Sequence, residues 1–287
     1  MNNNSAHNNI DHQSKAFFAG GTFRWKTDKE QVWSAVEKAM AQKPAGRRLV
    51  LGMRRSILAM AAVLLLLIGL GTFMRLYTVR IDNPVGQHLM ANLPDGSSVY
   101  LNADSYIEYN PYWWQLKRQV KFEGEALFEV QKGKAFEVIS VNGRTEVLGT
   151  SFNIYARETD YAVTCLSGSV KVTAPSKNSV VLQPQSKASV QPDGQIQVQH
   201  KIETLPEISW KDNYFRFTAS PINEVFREIE RQYGITIKTD IAKQSLYTGS
   251  FNRTNSIDQV MEIVCPPMGL SYQKQPGGFY LITQNNE

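Results

Sequence analysis

The chain has 287 residues, a formal net charge of +5 and two cysteines, length enough for one large or two small domains with appendages. The charge is uneven: residues 1–55 hold ten Lys/Arg against four Asp/Glu, a net of +6, and residues 56–287 hold 21 against 22, a net of −1. A nucleic-acid-binding role is thereby confined to the first 55 residues. No aromatic-interleaved basic cluster or recognition helix lies there, so the charge reads as a topology signal that also attracts anionic lipid and acidic partners, with no direct nucleic-acid contact.

Residues 1–14, MNNNSAHNNIDHQS, are Asn-rich and almost free of apolar side chains, which predicts a disordered tail. His7 and His12 fall in it without further ligands nearby, so no metal site is expected. Residues 15–55 form a second segment. Phe17, Phe18, Phe23 and Trp25 precede Thr27-Asp28-Lys29-Glu30, which reads as a capping box with Thr27 as N-cap. The spacing predicts a helix from Asp28 to about Gln42, with Val32, Trp33, Val36 and Met40 on one face and Lys43-Pro44-Ala45-Gly46 ending it. So short a helix buries no core of its own, and an open apolar face favours a partner protein over a small, loosely packed hairpin with none.

Ser56 to Met74 contains no charge, and only Ser56 and Thr72 are polar. As a helix these nineteen residues span about 28 Å, close to the ~30 Å hydrocarbon core of a bilayer. A buried core helix would carry a polar stripe, and a cleaved signal would have a shorter leader and a small-residue cleavage site. The stretch therefore reads as an uncleaved transmembrane anchor. Lys43, Arg47, Arg48, Arg54 and Arg55 precede it, whereas only Arg75 and Arg80 follow within a similar distance. This asymmetry predicts a cytoplasmic N-terminus and an exported C-terminal part.

Beyond the span the apolar period becomes two. Leu89, Ala91 and Leu93 alternate with polar residues, and turn signals recur at Pro94-Asp95-Gly96, Asn142-Gly143, Ser167-Gly168 and Asp193-Gly194. Residues 82–200 are expected to form an all-β domain, a sandwich, roll or short solenoid. Residues 208–287 read as a small α+β domain with the order β-α-β-β-α-β-β. Its first helix is expected to be capped by Ser220 with Pro221 at the first position and Ile222, Val225, Phe226 and Ile229 as its stripe. Its second is expected to be capped by Ser256 with Gln259, and stopped early by Pro266-Pro267. The whole is a multi-domain chain: a short helical cytoplasmic segment, one transmembrane helix, an all-β domain and a C-terminal α+β domain.

Few residues suggest chemistry. Glu123, Glu125 and Glu129 share one strand face, as paired acid and base carboxylates in a glycoside hydrolase would. The opposite face, Phe122, Ala126, Phe128 and Val130, is apolar, so the glutamates are expected on the solvated side. His88 and His200 stand alone, and no nucleophile elbow, phosphate loop or Cys/His ligand spacing is present. Neither an enzyme nor a cofactor is expected. Cys165 and Cys265 each lie among apolar residues, and two buried free thiols are expected in place of a bridge.

The β region resembles the FecR family of membrane-bound anti-sigma regulators. The matching pieces are Leu93-Pro94-Asp95-Gly96-Ser97, then Val99 and Leu101-Asn102-Ala103, Arg118 with Val120, Gly124 to Val130, Phe136 with Val138, Leu148-Gly149-Thr150-Ser151-Phe152-Asn153 and Leu166 to Val172. The C-terminal part is similar to the domain that follows FecR in Bacteroidota members, related to the short secretin/TonB N-terminal fold, through Trp210-Lys211-Asp212, Phe217, Tyr233-Gly234-Ile235 and Gly249-Ser250-Phe251. Two departures stand out: Pro184-Gln185-Ser186 replaces a Pro-Gly-Gln turn, and Cys265-Pro266-Pro267 shortens the last helix. The resemblance implies an inner-membrane relay that controls genes for nutrient uptake. Its cytoplasmic segment would hold an extracytoplasmic-function sigma factor, with Phe17, Trp25, Val32, Trp33, Val36 and Met40 as the binding residues. Its periplasmic part would sense the signalling domain of a TonB-dependent outer-membrane receptor, and a membrane protease would release the sigma factor. The alternative is an anchored periplasmic β protein that binds envelope glycan, which would have no need of the helix before the span.

Overall fold

The computed structural model describes residues 26–42, 46–239 and 245–284. The chain divides between Ile68 and Gly69 into two compact units. Helix α1 spans Lys29–Ala41 in the first. It begins one residue later than the sequence suggests. Asp28 is the N-cap, with its carbonyl accepting the N–H groups of Gln31 at 3.0 Å and Val32 at 3.2 Å. Thr27 then lies one residue too early to cap, and Glu30 is out of register for the return bond of a capping box. Helix α2 spans Gly46–Leu76. Within it, Arg54–Leu76 is 23 residues long, contains an 18-residue window of mean hydropathy 2.6 with none of that window buried, and is long and apolar enough to cross a membrane. Its length is about 34 Å.

The second unit opens with thirteen strands that form one continuous sheet system. They are β1 Val79–Asn83, β2 Leu89–Asn92, β3 Ser98–Leu101, β4 Ser105–Tyr109, β5 Arg118–Glu129, β6 Phe136–Ser140, β7 Gly143–Val147, β8 Ser151–Arg157, β9 Asp160–Ser167, β10 Val170–Thr173, β11 Ser179–Leu182, β12 Ser186–Val190 and β13 Ile196–His200. Strand β5 belongs to two sheets at once. Its first half pairs with β4 and, in parallel, with β6; its second half pairs with β3 and β8. One sheet then runs β1-β4-β5-β6-β7-β10-β11 and the other β2-β3-β5-β8-β9-β12-β13. The rings of Phe122 and Phe128 are 5.4 Å apart. Six residues of straight strand would separate them by about 20 Å, so β5 folds sharply between them. The fold lies at Gly124, whose φ is +117° and where an added Cβ would sit 2.2 Å from Ser105 Oγ and 2.6 Å from Ser105 Cα. Only glycine fits both demands. The two inner faces meet in one core that contains Val120, Phe122, Phe128, Phe136, Phe152, Ile154 and Cys165.

One buried ion pair closes this layer. Arg118 is 8% exposed. It pairs with Asp95 of the Pro94-Asp95-Gly96 turn and donates to the carbonyls of Gln131 at 2.9 Å and Lys134 at 2.7 Å. The turn between β6 and β7 differs from the sequence expectation. Ser140 pairs directly with Gly143, so Val141-Asn142 makes the turn and Gly143 is already in the strand. Gly143 is needed for packing, since a Cβ there would lie 2.5 Å from the Tyr161 ring.

The chain continues through a short helix, α3 Leu205–Ile208, and a 3-10 turn, Ser209–Asp212. Then follow β14 Tyr214–Pro221, α4 Ile222–Tyr233, β15 Thr236–Thr239, β16 Leu246–Asn252, α5 Ile257–Val264, β17 Leu270–Lys274 and β18 Phe279–Gln284. Strand β14 pairs with β16, while β15, β18 and β17 form a second small sheet. Ser220 is not a cap. It pairs with Tyr247 and Pro221 pairs with Leu246, so the ladder outcompetes the helix at both positions and α4 starts at Ile222. Ser256 does cap α5: its Oγ accepts the Gln259 N–H at 3.3 Å, and Gln259 Oε1 accepts the Ser256 N–H at 2.8 Å. Pro266-Pro267 turns the end of α5 into a 3-10 turn. The stripes of α4 and α5 meet in a second core with Phe215, Tyr247, Phe251, Cys265 and Tyr280.

Candidate functional site

Helix α1 presents its apolar stripe to solvent. At 3.6 residues per turn Val32, Trp33, Val36 and Met40 fall within an arc of about 100°. They are 48%, 67%, 37% and 76% exposed, and no residue of the helix is buried. Phe17 and Trp25 lie outside the described residues. Arg47 and Arg48 fall in the first turns of α2, and Arg54 and Arg55 are exposed where its apolar stretch begins.

A second feature lies on the outer face of the β2-β3-β5-β8 sheet. Leu127 points away from the sandwich core, yet it is only 2% exposed, because it packs into the second core with Trp210. Around it runs a polar seam. Gln232 of α4 donates to Asn102 Oδ1 at 2.7 Å and to Glu228 Oε1 at 2.8 Å, and its own Oε1 lies 3.1 Å from His88 Nε2. Asn102 donates to Glu125 Oε2 at 2.8 Å, and Asn153 donates to Glu125 Oε1 at 3.0 Å. Arg231 holds Glu228 Oε2 with bonds of 2.8 and 3.1 Å. The Gly86 N–H donates to the Arg231 carbonyl at 2.8 Å, and Arg253 donates to the Gly86 carbonyl.

The electrostatics of the seam are unequal. Burial and the Glu228 charge push the Glu125 carboxyl up to about 7. Burial also acts against ionised Glu228, but Arg231, Arg157 and the Gln232 bond outweigh it and hold that carboxyl below the ordinary range. His88 is pushed down, first by burial. The expectation that Glu123, Glu125 and Glu129 share a solvated face is therefore corrected at Glu125. Its neighbours Glu123 and Glu129 are exposed, but Glu125 is half-buried, bonded by Asn102 and Asn153 and set beside the charge of Glu228, more than a hundred positions away. The seam is a bonded network with no open reaction centre. The cleft beside it, about 340 Å³, is lined by carboxylates and guanidinium groups of both signs, including Asp82, Glu123, Arg80 and Arg157. Among the described residues no group of three or more His, Cys, Asp or Glu could hold a metal ion.

Residues 79–171 match the family model described as FecR protein, and residues 214–281 match the model described as FecR, C-terminal. The chain belongs to the FecR family. The two matched stretches are the ones that the seam joins. Two crystal structures of a candidate anti-sigma factor from Parabacteroides distasonis are similar to it. At 25% and 26% identity, they cover 73% and 72% of this chain and 100% of their own, both with a TM-score of 0.67. No curated protein matches. Several residues of the family blocks now have a physical role: Asp95 and Arg118 form the buried pair, Gly124 the fold of β5, and Asn102 and Asn153 the bonds to Glu125. Gln232, Glu228 and Arg231 were missed in the sequence. Their one signal was a pair of uncharged or paired polar side chains on the apolar side of α4, where Glu228 and Gln232 are buried beside Val225 and Ile229.

Proposed function

We propose that the chain is a single-pass inner-membrane anti-sigma factor with its N-terminus in the cytoplasm. Helix α1 holds an extracytoplasmic-function sigma factor away from RNA polymerase. The residues after the span lie in the periplasm and receive the signalling domain of a TonB-dependent outer-membrane receptor, and proteolysis in the membrane frees the sigma factor to transcribe uptake genes. The observation that carries this reading is the open Val32-Trp33-Val36-Met40 stripe, set before a membrane-length helix in a chain of this family. An isolated helix of thirteen residues is marginal in water, and a partner groove would supply the burial it lacks. The basic flank before the span supports the orientation. On the receiving side, β17 pairs with β18 alone among the described strands, and its other edge could accept a strand from the receptor.

The test is sigma-dependent transcription in cells that carry single substitutions. Trp33→Ala removes a large aromatic anchor and should weaken repression by about thirtyfold in affinity, near 2 kcal/mol. Val36→Asp should weaken it further, because it buries a charge without a partner. Lys38→Ala, on the opposite side of the helix from the stripe, should change little. If Trp33→Ala and Val36→Asp leave transcription unchanged while the protein is made and inserted, α1 is not the sigma-binding face and the anchored glycan-binding reading takes its place.

A further inference from the structure

The segment Asn110 to Lys117, NPYWWQLK, joins β4 to β5 and is clamped at both sides. Trp114 is 1% exposed and plugs the sandwich core against Phe136 and Tyr109, with ring centroids 5.9 and 5.5 Å apart. Asn110 Nδ2 donates to the carbonyls of Met74 at 2.9 Å and Arg75 at 2.8 Å, two of the four that the end of α2 leaves without helical partners. Asn110 Oδ1 accepts the Trp113 N–H at 2.9 Å. Phe73, Tyr77 and Tyr112 then form a ring triangle with centroids 5.4 to 6.4 Å apart, and the Arg75 guanidinium sits 5.4 Å over Trp113.

This anchored loop nevertheless shows large apolar groups to solvent. Tyr112 is 49% exposed, Leu116 69%, Tyr77 41% and Phe73 54%. A loop held this firmly gains nothing internal from such exposure, and exposed apolar groups gathered on one loop and the adjoining helix end signal a binding surface. Its position names the occupant. The apolar stretch of α2 ends at Leu76, so Phe73 lies about one helical turn inside that end. Tyr112 touches Phe73 and therefore reaches the same depth. Tyrosine and tryptophan with an apolar body and a polar tip are the side chains that settle at the headgroup level, and Arg75 and Lys117 add positive charge beside them.

We infer that Tyr77, Tyr112, Trp113 and Leu116 form a collar that inserts into the headgroup layer of the bilayer that α2 crosses, so that the β-sandwich rests on the membrane instead of hanging from a free tether. The inference rests on the membrane reading of α2 and goes beyond it. The Asn110 bonds hold Met74 and Arg75, at the end of α2, to the loop that carries the collar.

The test uses the full chain in two sets of vesicles, one with lipids brominated near the headgroup end of the acyl chains, which reads the collar, and one with lipids brominated near their middle, which reads the span. A bimane label is placed at Leu66→Cys in the span, at Leu116→Cys in the collar, or at Val141→Cys, which is 89% exposed at the far end of β6 from Trp114. Both native cysteines are buried, and all three labelled sites are exposed. The Leu116 label should lose at least about half of its fluorescence to the brominated lipid, as interfacial depth requires, and the Val141 label none. Quenching at Leu66 with none at Leu116 would overturn the collar and leave the span standing. No quenching at Leu66 would overturn both.

Discussion

Replacing Arg231 with methionine keeps the stem and removes the charge that holds Glu228. The two side chains are 14% and 10% exposed, and their 2.8 Å contact is backed by a second bond of 3.1 Å. Breaking a buried pair from one side costs about 3–5 kcal/mol, because the remaining charge stays desolvated. Gln232 and Arg157 still serve Glu228, which puts the expectation at the low end, about 3 kcal/mol. The pH dependence identifies the cause. In the native protein the Glu228 carboxyl lies below its ordinary value of 4.5, so its contribution is present above that value and is lost as pH falls through the folded pKa. Without Arg231, burial pushes it upward instead. The unfolded chain then releases its proton first, and the variant loses stability as pH rises above about 4. The gap between variant and wild type should be wide near pH 8 and narrow near pH 4. Arg231→Met combined with Glu228→Gln removes both charges and should recover most of the loss. Urea denaturation followed by tryptophan fluorescence, with Trp210 inside the second core, reads each value. A loss under about 1 kcal/mol at pH 8, or a gap that does not change with pH, refutes the reasoning.

Gly124→Ala should destabilise the second unit by at least about 3 kcal/mol, the sum of an unfavourable positive φ and overlap with Ser105. Adding Ser105→Gly should recover only part of it in the same denaturation assay, because the Ser105 Cα also crowds the new methyl; full recovery would show that the side chain alone is the obstacle. Burial pushes the thiol of Cys165 up to about 11 and that of Cys265 up to about 12, so neither should react with a maleimide in the native protein near pH 7. After denaturation without reductant both should label, and mass spectrometry that finds neither free would sink the reading of two separate core thiols.

Much of the candidate site was legible only as pattern. The α1 stripe is visible in the spacing of Val32, Val36 and Met40 because an unpacked helix expresses its period directly. Its first residue was not, since Thr27 and Asp28 are both able caps and the backbone chose between them. At Ser220 and Pro221 the local signal for a helix start was sound, but the ladder to Tyr247 and Leu246 won. The seam was hidden for a different reason: Glu125 and Leu127 alternate with core residues as ordinary outward positions do, and nothing local distinguishes an outward face in water from one under another layer.

The sequence by itself determined the membrane-length helix, the switch from a 3.6 to a period-two pattern after it, the capping of α5 by Ser256 and the family blocks of the FecR region. Each depends on residues close along the chain, where side-chain spacing and backbone preference are enough. Only the tertiary structure decided that β5 folds at Gly124 to serve two sheets, that Leu127 enters the second core, and that Gln232 meets Asn102 across 130 residues. Periodicity states that a face differs from its opposite. What covers that face is set by contacts between distant segments, where burial and hydrogen bonding outweigh any local preference.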